Sequence, residues 1–506
     1  MKELLLVSIL LPSLAGIILL ASAFADVLKK KSKKQLKAQA KKSQTPLHLF
    51  VGAILAVSAA VILYTAWSGE KSLTLFTLVD NISFRLSLDL LGSFFVTIVC
   101  IGWLAAGFYS FVYMSHEGGE KSFFGWFLMV FGVLVGLCFS GNLVTMYFFF
   151  ELMTLTSMPL VLHNGSREAI MAALKYLFYS MCGAYGALFG IFFLFRYCSS
   201  LDFAAGGHLN MTLVSGHEGI LLAAVFAMIL GFGVKAGMLP MHAWLPTAHP
   251  VAPSPASAVL SAVIAKFGVF AIIRTVFYVV GPEFLKGTWV QYAWMTLALL
   301  TVFMGSMLAY REKVFKKRLA YSTVSQVSYV LYGLSVLTAD GFTGALFHTM
   351  AHFFIKTGLF LTAGVFIFKF GYTKVEELRG LGKKMPILMW SYTFLALALI
   401  GIPPTGGFIS KWYLAAGSLN SGINFFSWFG PVVLLLSALL TAGYLLPITI
   451  NGFFPGGESE AEVKEEDPHL LMLLPIVILT TMAVLIGLLP NVFVDLISRI
   501  TNAVLW

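Results

Sequence analysis

GFGVKAGMLPMHAWLPTAHPVAPSPASAVLSAVIAKFGVFAIIR, residues 231–274, holds two lysines, two histidines and five prolines within runs otherwise apolar enough for a bilayer. A lysine at the centre of a membrane helix costs about 2.5–3.5 kcal/mol on insertion scales. Lys235 and Lys266 are therefore expensive, and one of them stands just ahead of a helix-breaking residue. Pro240 supplies no backbone N–H, and its ring clashes with the carbonyl four residues earlier. The helix that carries Lys235 is predicted to open there. Freed backbone groups at membrane depth are tolerated only inside protein or beside a water-filled cavity. The stretch reads as a buried ionisable site on an ion path. His242, just past the break, is an auxiliary candidate.

The rest of the chain fits that setting. Of 506 residues, 59% are hydrophobic and 11% charged, with mean hydropathy +0.89. A soluble domain has about 25% charged residues. Uninterrupted apolar runs, without period-two alternation, point to an all-α integral membrane protein rather than a barrel. Fourteen spans are predicted: 3–26, 47–67, 87–113, 123–140, 142–162, 169–197, 219–239, 254–280, 289–310, 318–338, 343–369, 387–416, 429–451 and 470–500. They make residues 1–506 a single polytopic domain, with short loops and no soluble unit.

The net charge of +10 belongs to loops at the membrane face and does not suggest nucleic acid. Lys29 to Lys42, Arg311 to Arg318 and Lys374 to Lys384 fall in loops of one parity. The positive-inside rule makes that side cytoplasmic and puts both termini outside, in the plasma membrane of a prokaryote. Cys100, Cys138, Cys182 and Cys198 lack metal-ligand spacing and read as small core hydrophobes. No metal or other cofactor is expected.

Further titratable residues sit inside the spans. Glu151 is the one acid of the fifth span, and an unpaired carboxylate in a membrane needs a partner. Lys235 is the natural one; a helix–helix hydrogen bond is the blander reading. Lys266 lies well inside the eighth span, where snorkelling to an interface is the alternative. His348, His352 and Lys356 are spaced four apart and share one helical face. A proton relay fits that face better than a metal site, because further ligands are wanting. Pro403 and Pro404 interrupt the twelfth span ahead of Lys411, whose plainer reading is an interfacial anchor. Two broken spans, each with a lysine, point to inverted repeats. Spans 4–8 (123–280) and 9–13 (289–451) would be the two five-helix units, with Lys235 and Lys411 pseudo-equivalent.

These residues resemble the proton-conducting antiporter-like membrane subunits of respiratory complex I, of Mrp-type cation/proton antiporters and of group 4 membrane-bound hydrogenases. The resemblance rests on Phe150-Glu151-Leu152, on Gly233-Val234-Lys235 through His242-Ala243-Trp244-Leu245-Pro246 to Pro253-Ser254-Pro255, and on Lys317 to Gln326. His348, His352 and Lys356 add to it, as do Leu378 to Pro386 and Gly406 to Lys411. It implies fourteen core helices with inverted repeats. It also implies an ion-paired Glu151 and Lys235, a central Lys266, histidines that carry protons across the middle, and a far-side Lys411. Thr247 departs from the pattern, since many members have an acid there.

The implied function is proton translocation through this Glu/Lys/His relay, driven by partner subunits. Those partners would be homologous antiporter-like subunits with a redox or cation-coupling module. The chain would not be catalytic alone, but part of an ion-translocating oxidoreductase or of a sodium/proton antiporter. A stand-alone solute transporter, or a membrane enzyme acting on quinone or lipid, would want a convergent polar cavity that nothing in the sequence marks.

Overall fold

The computed structural model describes residues 2–28, 33–79, 82–456 and 467–505, with the backbone alone for 33–44 and 79. The basic side chains from Lys29 to Lys42 and the acids from Glu458 to Glu466 lie outside the described residues. In lipid a chain must satisfy its own backbone groups, and helices do so within each segment. The helices are α1 (Leu4–Leu28), α2 (Lys33–Trp67), α3 (Leu90–Glu117), α4 (Glu120–Cys138), α5 (Leu143–Val161), α6 (Arg167–Tyr197) and α7 (Glu218–Ala236). They continue as α8 (Ser254–Val280), α9 (Trp289–Arg311), α10 (Phe315–Ser335), α11 (Ala339–Phe370), α12 (Pro386–Ile400), α13 (Gly406–Leu419), α14 (Asn424–Phe453), α15 (Leu470–Leu488) and α16 (Pro490–Leu505).

Twelve helices among the described residues are long and apolar enough to cross a membrane. Two of the fourteen expected spans are not in that set. The tenth is a continuous helix, α10, but its face of Ser322, Thr323, Ser325, Gln326 and Ser328 makes it polar, and all five are buried. The twelfth is split into α12 and α13 at Ile402 to Thr405. The fourteenth ends sooner than expected: α15 stops at Leu488, and Pro490 starts α16, because proline suits the first turn of a new helix better than the interior of an old one.

Among the described residues, one region forms a β-sheet. Residues expected as a loop form an antiparallel hairpin, β1 (Lys71–Val79) with β2 (Ile82–Leu88), in which Lys71 faces Leu88 and Val79 faces Ile82. Its cause is local: Ser83-Phe84-Arg85-Leu86-Ser87-Leu88 alternates polar and apolar residues, so one strand face can pack on the bundle. Leu86 and Leu88 are buried there.

Tertiary contacts sort the loops into two faces. At one face, His163 Nε2 lies 2.9 Å from the Gly118 carbonyl, Asn164 donates to Val251 O at 3.3 Å, and Lys316 donates to Ala252 O at 2.5 Å. Val314 bridges Lys374 there, so the loops with Lys313, Lys317 and Lys374 share this face. At the other face the hairpin meets the α4–α5 connection, with Ser87 N on Phe139 O at 2.7 Å. It also meets the segment after α6, through the Arg85–Asp202 pair at 2.6 Å.

Small residues let the lysine-bearing helices approach closely, which matters because lipid gives apolar helices no hydrophobic reason to associate. A Cβ on Gly183 would lie 2.5 Å from the Gly231 carbonyl, so α6 and α7 touch backbone to backbone. A Cβ on Gly268 would lie 2.5 Å from the Phe232 carbonyl, which sets α8 against α7 between Lys235 and Lys266. Cys100 and Cys138 are buried as expected of core hydrophobes, but Cys198 is half-buried and Cys182 lies exposed on α6.

Candidate functional site

Lys235 occupies the last turn of α7. The helix stops at Gly237 (φ +78°), and the chain turns through a cis Leu239–Pro240 bond into a short helix, Leu245–Val251. The backbone groups freed by the break find partners. Trp244 Nε1 donates to Val234 O at 2.8 Å, Met238 N to Gly233 O at 2.9 Å, and Leu239 N to Thr301 Oγ1 at 3.1 Å.

The Lys235 ammonium is 1% exposed and donates to Thr154 Oγ1 and Tyr176 Oη, both at 2.8 Å, and to Ser180 Oγ at 3.1 Å. Its Nζ also lies 4.3 Å from the centre of the Tyr176 ring, a cation–π distance. Glu151 is one helical turn from Thr154 on α5. It forms no ion pair with Lys235 within 4.0 Å, and its buried Oε1 has no hydrogen-bond partner. The direct pair expected from the sequence is therefore open here. The hydroxyls of α5 and α6 take the lysine instead, because three short polar groups converge at its Nζ.

Lys266 lies within the bundle, 1% exposed, on a helix buried along its whole length. That burial is incompatible with an interfacial end position. Its Nζ donates to Ser261 O at 2.6 Å, inside a π-helical turn, Leu260–Ile264. Single π-turns in α-helices occur often at functional sites. Ser261 Oγ in turn bonds Thr323 Oγ1 of α10 at 2.7 Å.

The α11 face carries His348, His352 and Lys356, all 2% exposed or less. Lys356 donates to Leu319 O at 2.9 Å and to Ser322 Oγ. His348 stacks on His352 with ring centres 5.9 Å apart, and on Tyr329 at 5.4 Å. Its Nδ1 bonds Ser410 Oγ at 2.8 Å. Lys411 follows Ser410 on α13 and donates to Leu399 O at 2.8 Å and Ile400 O at 2.7 Å, the last carbonyls of α12. Its Nζ lies 5.2 Å from the Tyr329 ring centre. Contacts thus run without interruption from His352 through His348, Tyr329 and Ser410 to Lys411. Neither Lys235 nor Lys266 is hydrogen-bonded directly to the next titratable group in this line.

Several buried polar atoms in the same region have no protein partner: His348 Nε2, both nitrogens of His352, both nitrogens of His249 and both polar atoms of the Gln326 side chain. Buried groups of this kind ordinarily hold ordered water. His242, half-buried beyond the break, does not reach Lys235, and its Nδ1 is also without a partner. Thr247 accepts from Lys175 Nζ at 3.1 Å and donates to Ala243 O at 2.8 Å. A neutral hydroxyl serves at that position. Among the described residues, no three His, Cys, Asp or Glu side chains gather as a metal ion would require.

The sequence puts Lys316 and Arg318 in the basic loop between the ninth and tenth spans. The structure buries both on the first turn of α10, Lys316 against Ala252 O and Arg318 on Glu312 O and Tyr444 O, each at 2.8 Å. Sequence reasoning missed Asp89 and Arg274, which form a two-pronged ion pair at 2.5 and 2.7 Å. The signal for Lys316 was present: polar residues recur through α10 at helical spacing. For Asp89 and Arg274 no local signal exists, since they lie 185 positions apart.

This arrangement defines a class: a polytopic helical membrane protein with interrupted helices and a line of buried titratable side chains. Residues 140–441 match the family described as "NADH:quinone oxidoreductase/Mrp antiporter, TM". The chain is 34% identical over 421 residues to NADH-quinone oxidoreductase subunit N of Desulforudis audaxviator, covering 80% of this chain and 82% of that one. It is 29% identical over 404 residues to a Na(+)/H(+) antiporter subunit of Bacillus subtilis, covering 80% of each. In fold it is similar to a chain of the membrane-bound sulfane sulfur reductase, an archaeal respiratory membrane complex. That match has TM-score 0.81 and 22% identity and covers 99% of this chain and 98% of the other. The chain belongs to the NADH:quinone oxidoreductase/Mrp antiporter membrane family, as an antiporter-like subunit.

Proposed function

We propose that this chain translocates protons across the membrane through Glu151, Lys235, Lys266, His352, His348 and Lys411, within a complex whose other subunits supply the driving force. The observation that carries the reading is the hydroxyl cage at Lys235. An ammonium donates to Thr154, Tyr176 and Ser180; a neutral amine could accept from the same hydroxyls, since each is both donor and acceptor. The cage therefore accommodates either protonation state without rearranging the helices. Water at the orphaned nitrogens of His352 and His348 would bridge from Lys266 toward the contact line that ends at Lys411.

Protons would reach Lys235 by way of Glu151 and leave near Lys411. The face with the basic loops would be cytoplasmic, by the positive-inside rule, with both termini outside and the chain in the plasma membrane of a prokaryote. The units 123–280 and 289–451 would be inverted repeats within fourteen spans. Partners would be homologous antiporter-like subunits and a redox or cation-coupling module. A second reading, sodium/proton exchange, draws on the similarity to the Bacillus subtilis antiporter; the lysines would then carry its proton arm.

The test is proton translocation by inverted vesicles that hold the intact complex, measured beside the complex's driving activity. Lys235→Ala and Lys266→Ala are expected to abolish translocation while the complex remains assembled. Unchanged pumping in both would overturn the relay.

A further inference from the structure

The Asp89–Arg274 pair takes no part in the relay just described, yet it sits where one helix of that relay meets the hairpin face. Arg274 is 1% exposed and lies eight residues beyond Lys266 on α8, about 12 Å along the axis. The α-helical section Lys266–Thr275 is flanked by two π-helical turns, Leu260–Ile264 and Val276–Val280. Such turns are the weak points of a helix, where its hydrogen-bond ladder changes step. The section between them is thus a unit with a lysine at one end and an arginine at the other.

Each end is tied. Lys266 is held to Ser261 O within its own helix, and Arg274 to Asp89, the residue that caps α3 by accepting from Gly92 N at 2.8 Å. The rings of Phe203, Phe270 and Tyr278 stand 4.8, 5.0 and 4.5 Å from the guanidinium carbon. Arg274 Nε is buried without a partner, so Asp89 is its principal anchor.

Asp89 differs from Arg274 in exposure: its side chain is 32% exposed. It lines a cavity of about 390 Å³ at the hairpin face, with Glu70, Lys71, Arg85 and Tyr278. That volume holds many waters, each with a share of about 30 Å³ in the liquid. The charged and titratable groups facing Asp89 are Arg274 and Tyr278 from α8, Cys138 from α4, and Glu70, Lys71 and Arg85 from the hairpin strands and the residue before them. The walls contributed by Ala204 and Ala205 and by Ile500 and Ala503 bring no charge.

We propose that this cavity is an access vestibule at the hairpin face, and that the Asp89–Arg274 pair is a latch between it and the Lys266 section of α8. A proton driven from the vestibule onto the Asp89 carboxylate, against the hold of the Arg274 guanidinium and the Gly92 N–H, removes its negative charge. Arg274 is then released, and the section between the two π-turns is free to shift and to present Lys266 toward that face. Loss of the proton back to the vestibule restores the pair. Asp89 and Arg274 are positioning residues, acting on transport through Lys266. The inference rests on the relay reading for the role of Lys266, but the vestibule and latch can be tested apart from it.

Cys138 is a native reporter. A Cβ on Gly92 would lie 2.6 Å from the Cys138 carbonyl and 3.6 Å from an Arg274 nitrogen, so the backbone of this residue packs beside the pair, and its buried thiol lies within electrostatic reach of both charges. The probe is a small cationic methanethiosulfonate that does not cross membranes, applied to the hairpin face of vesicles with the intact complex. Modification of Cys138 is read by peptide mass spectrometry.

Asp89→Asn and Arg274→Gln are each expected to speed that modification by about tenfold or more, since each removes a charged hydrogen bond. Both are expected to slow proton translocation. In the unmodified complex, labelling is expected to be several-fold faster during turnover than at rest. Equal labelling in assembled variants and parent overturns the latch. So does equal labelling at rest and in turnover, a comparison that needs no variant to fold. If Lys266→Ala and Lys235→Ala both pump like the parent while the labelling differences persist, the relay reading fails and the latch stands.

Discussion

The α7 break and the α12–α13 break each place a lysine beside an interrupted helix, yet the two lysines are solvated by opposite kinds of group. Lys235 precedes its break and is held by three side-chain hydroxyls from two other helices. Lys411 follows its break and is held by two carbonyls of the half-helix it has just left. Hydroxyls donate and accept, whereas carbonyls only accept. The first site accommodates both protonation states in place; the second favours the ammonium, at a helix C-terminus where the dipole also favours a cation, so Lys411 passes its proton on less readily than Lys235. The opposite placement also means that Lys235 and Lys411 are not register equivalents within their helices, whatever repeat relates the two halves. Interruption plus lysine is one sequence pattern with two different electrostatic settings.

The sharpest way to break this comparison is to replace each lysine by arginine, which keeps the charge but does not give up its proton in proteins. Lys235→Arg is expected to stop proton translocation as completely as Lys235→Ala. Lys411→Arg is expected to retain a small but measurable share, because the carbonyls accept equally from a guanidinium and water beside a fixed cation at the end of the line still carries protons out. Equal loss at both positions, measured in vesicles, would erase the distinction.

Next in size is the cage itself. Tyr176→Phe removes one hydroxyl from Lys235 and keeps the ring. Hydrogen bonds to charged groups are worth about 1.5–3 kcal/mol, which predicts a loss in rate of roughly ten- to a hundredfold. Ser180→Ala, at the longest of the three contacts, should cost less; a larger loss there than at Tyr176 would show that the hydroxyls are not ranked by geometry. Ser180→Thr, which keeps a hydroxyl, should retain most of the rate.

At the far site, Ser410→Ala removes the acceptor or donor at His348 Nδ1, a neutral hydrogen bond worth about 1 kcal/mol. It is expected to slow translocation by about fivefold while leaving assembly intact. No change would remove Ser410 from the line between His348 and Lys411.

The smallest expected effect lies away from both breaks. Glu312, in the loop between α9 and α10, accepts from Lys317 Nζ at 2.8 Å and from the backbone N–H groups of Lys313 and Val314, both at 3.0 Å. Partial burial pushes its carboxyl up, but the Lys317 ammonium and the two N–H groups outweigh burial and hold it below the usual carboxylate range. The stabilisation is therefore present above about pH 4.3, the unfolded value, and is lost as pH falls through the lower folded value. Glu312→Gln should lower stability at pH 7 by under about 1 kcal/mol. The difference from the parent, followed by thermal unfolding in detergent, should shrink as the pH falls from the unfolded value toward the folded one and vanish below it.

The α7 break was legible because Gly237 and Pro240 are local signals, and a local signal needs no knowledge of the fold. So were the spans, whose length alone fits a bilayer. The hydroxyls at Lys235 were not legible. Thr154, Tyr176 and Ser180 are ordinary residues on helix faces until α5 and α6 bring them to one point. Glu151 stands out in the sequence as an acid inside a span; in the structure it is half-buried, and its expected ion pair depended on side-chain geometry across two helices. Lys316 and Arg318 were misread because a run of basic residues near a span end looks like a loop until the following helix proves polar and buried. The hairpin was hidden by length: its strands are too short to register beside runs of twenty apolar residues, although their alternation was readable.

The polarity of α10 has a consequence for how the chain is made. A segment with buried Lys316, Arg318, Gln326 and a row of serines and threonines gains little from lipid, and an insertion machinery that weighs each segment's transfer into the bilayer would not retain it alone. Its hold comes from neighbours: Ser306 and Ser437 reach Ser325 at 2.9 and 3.2 Å, and Tyr329 reaches Leu434 O at 2.7 Å. Residues of α14 are therefore among its partners, and α14 is synthesised about a hundred residues later. During synthesis α10 must wait beside α9, sheltered from acyl chains, until the last third of the protein arrives to close around it.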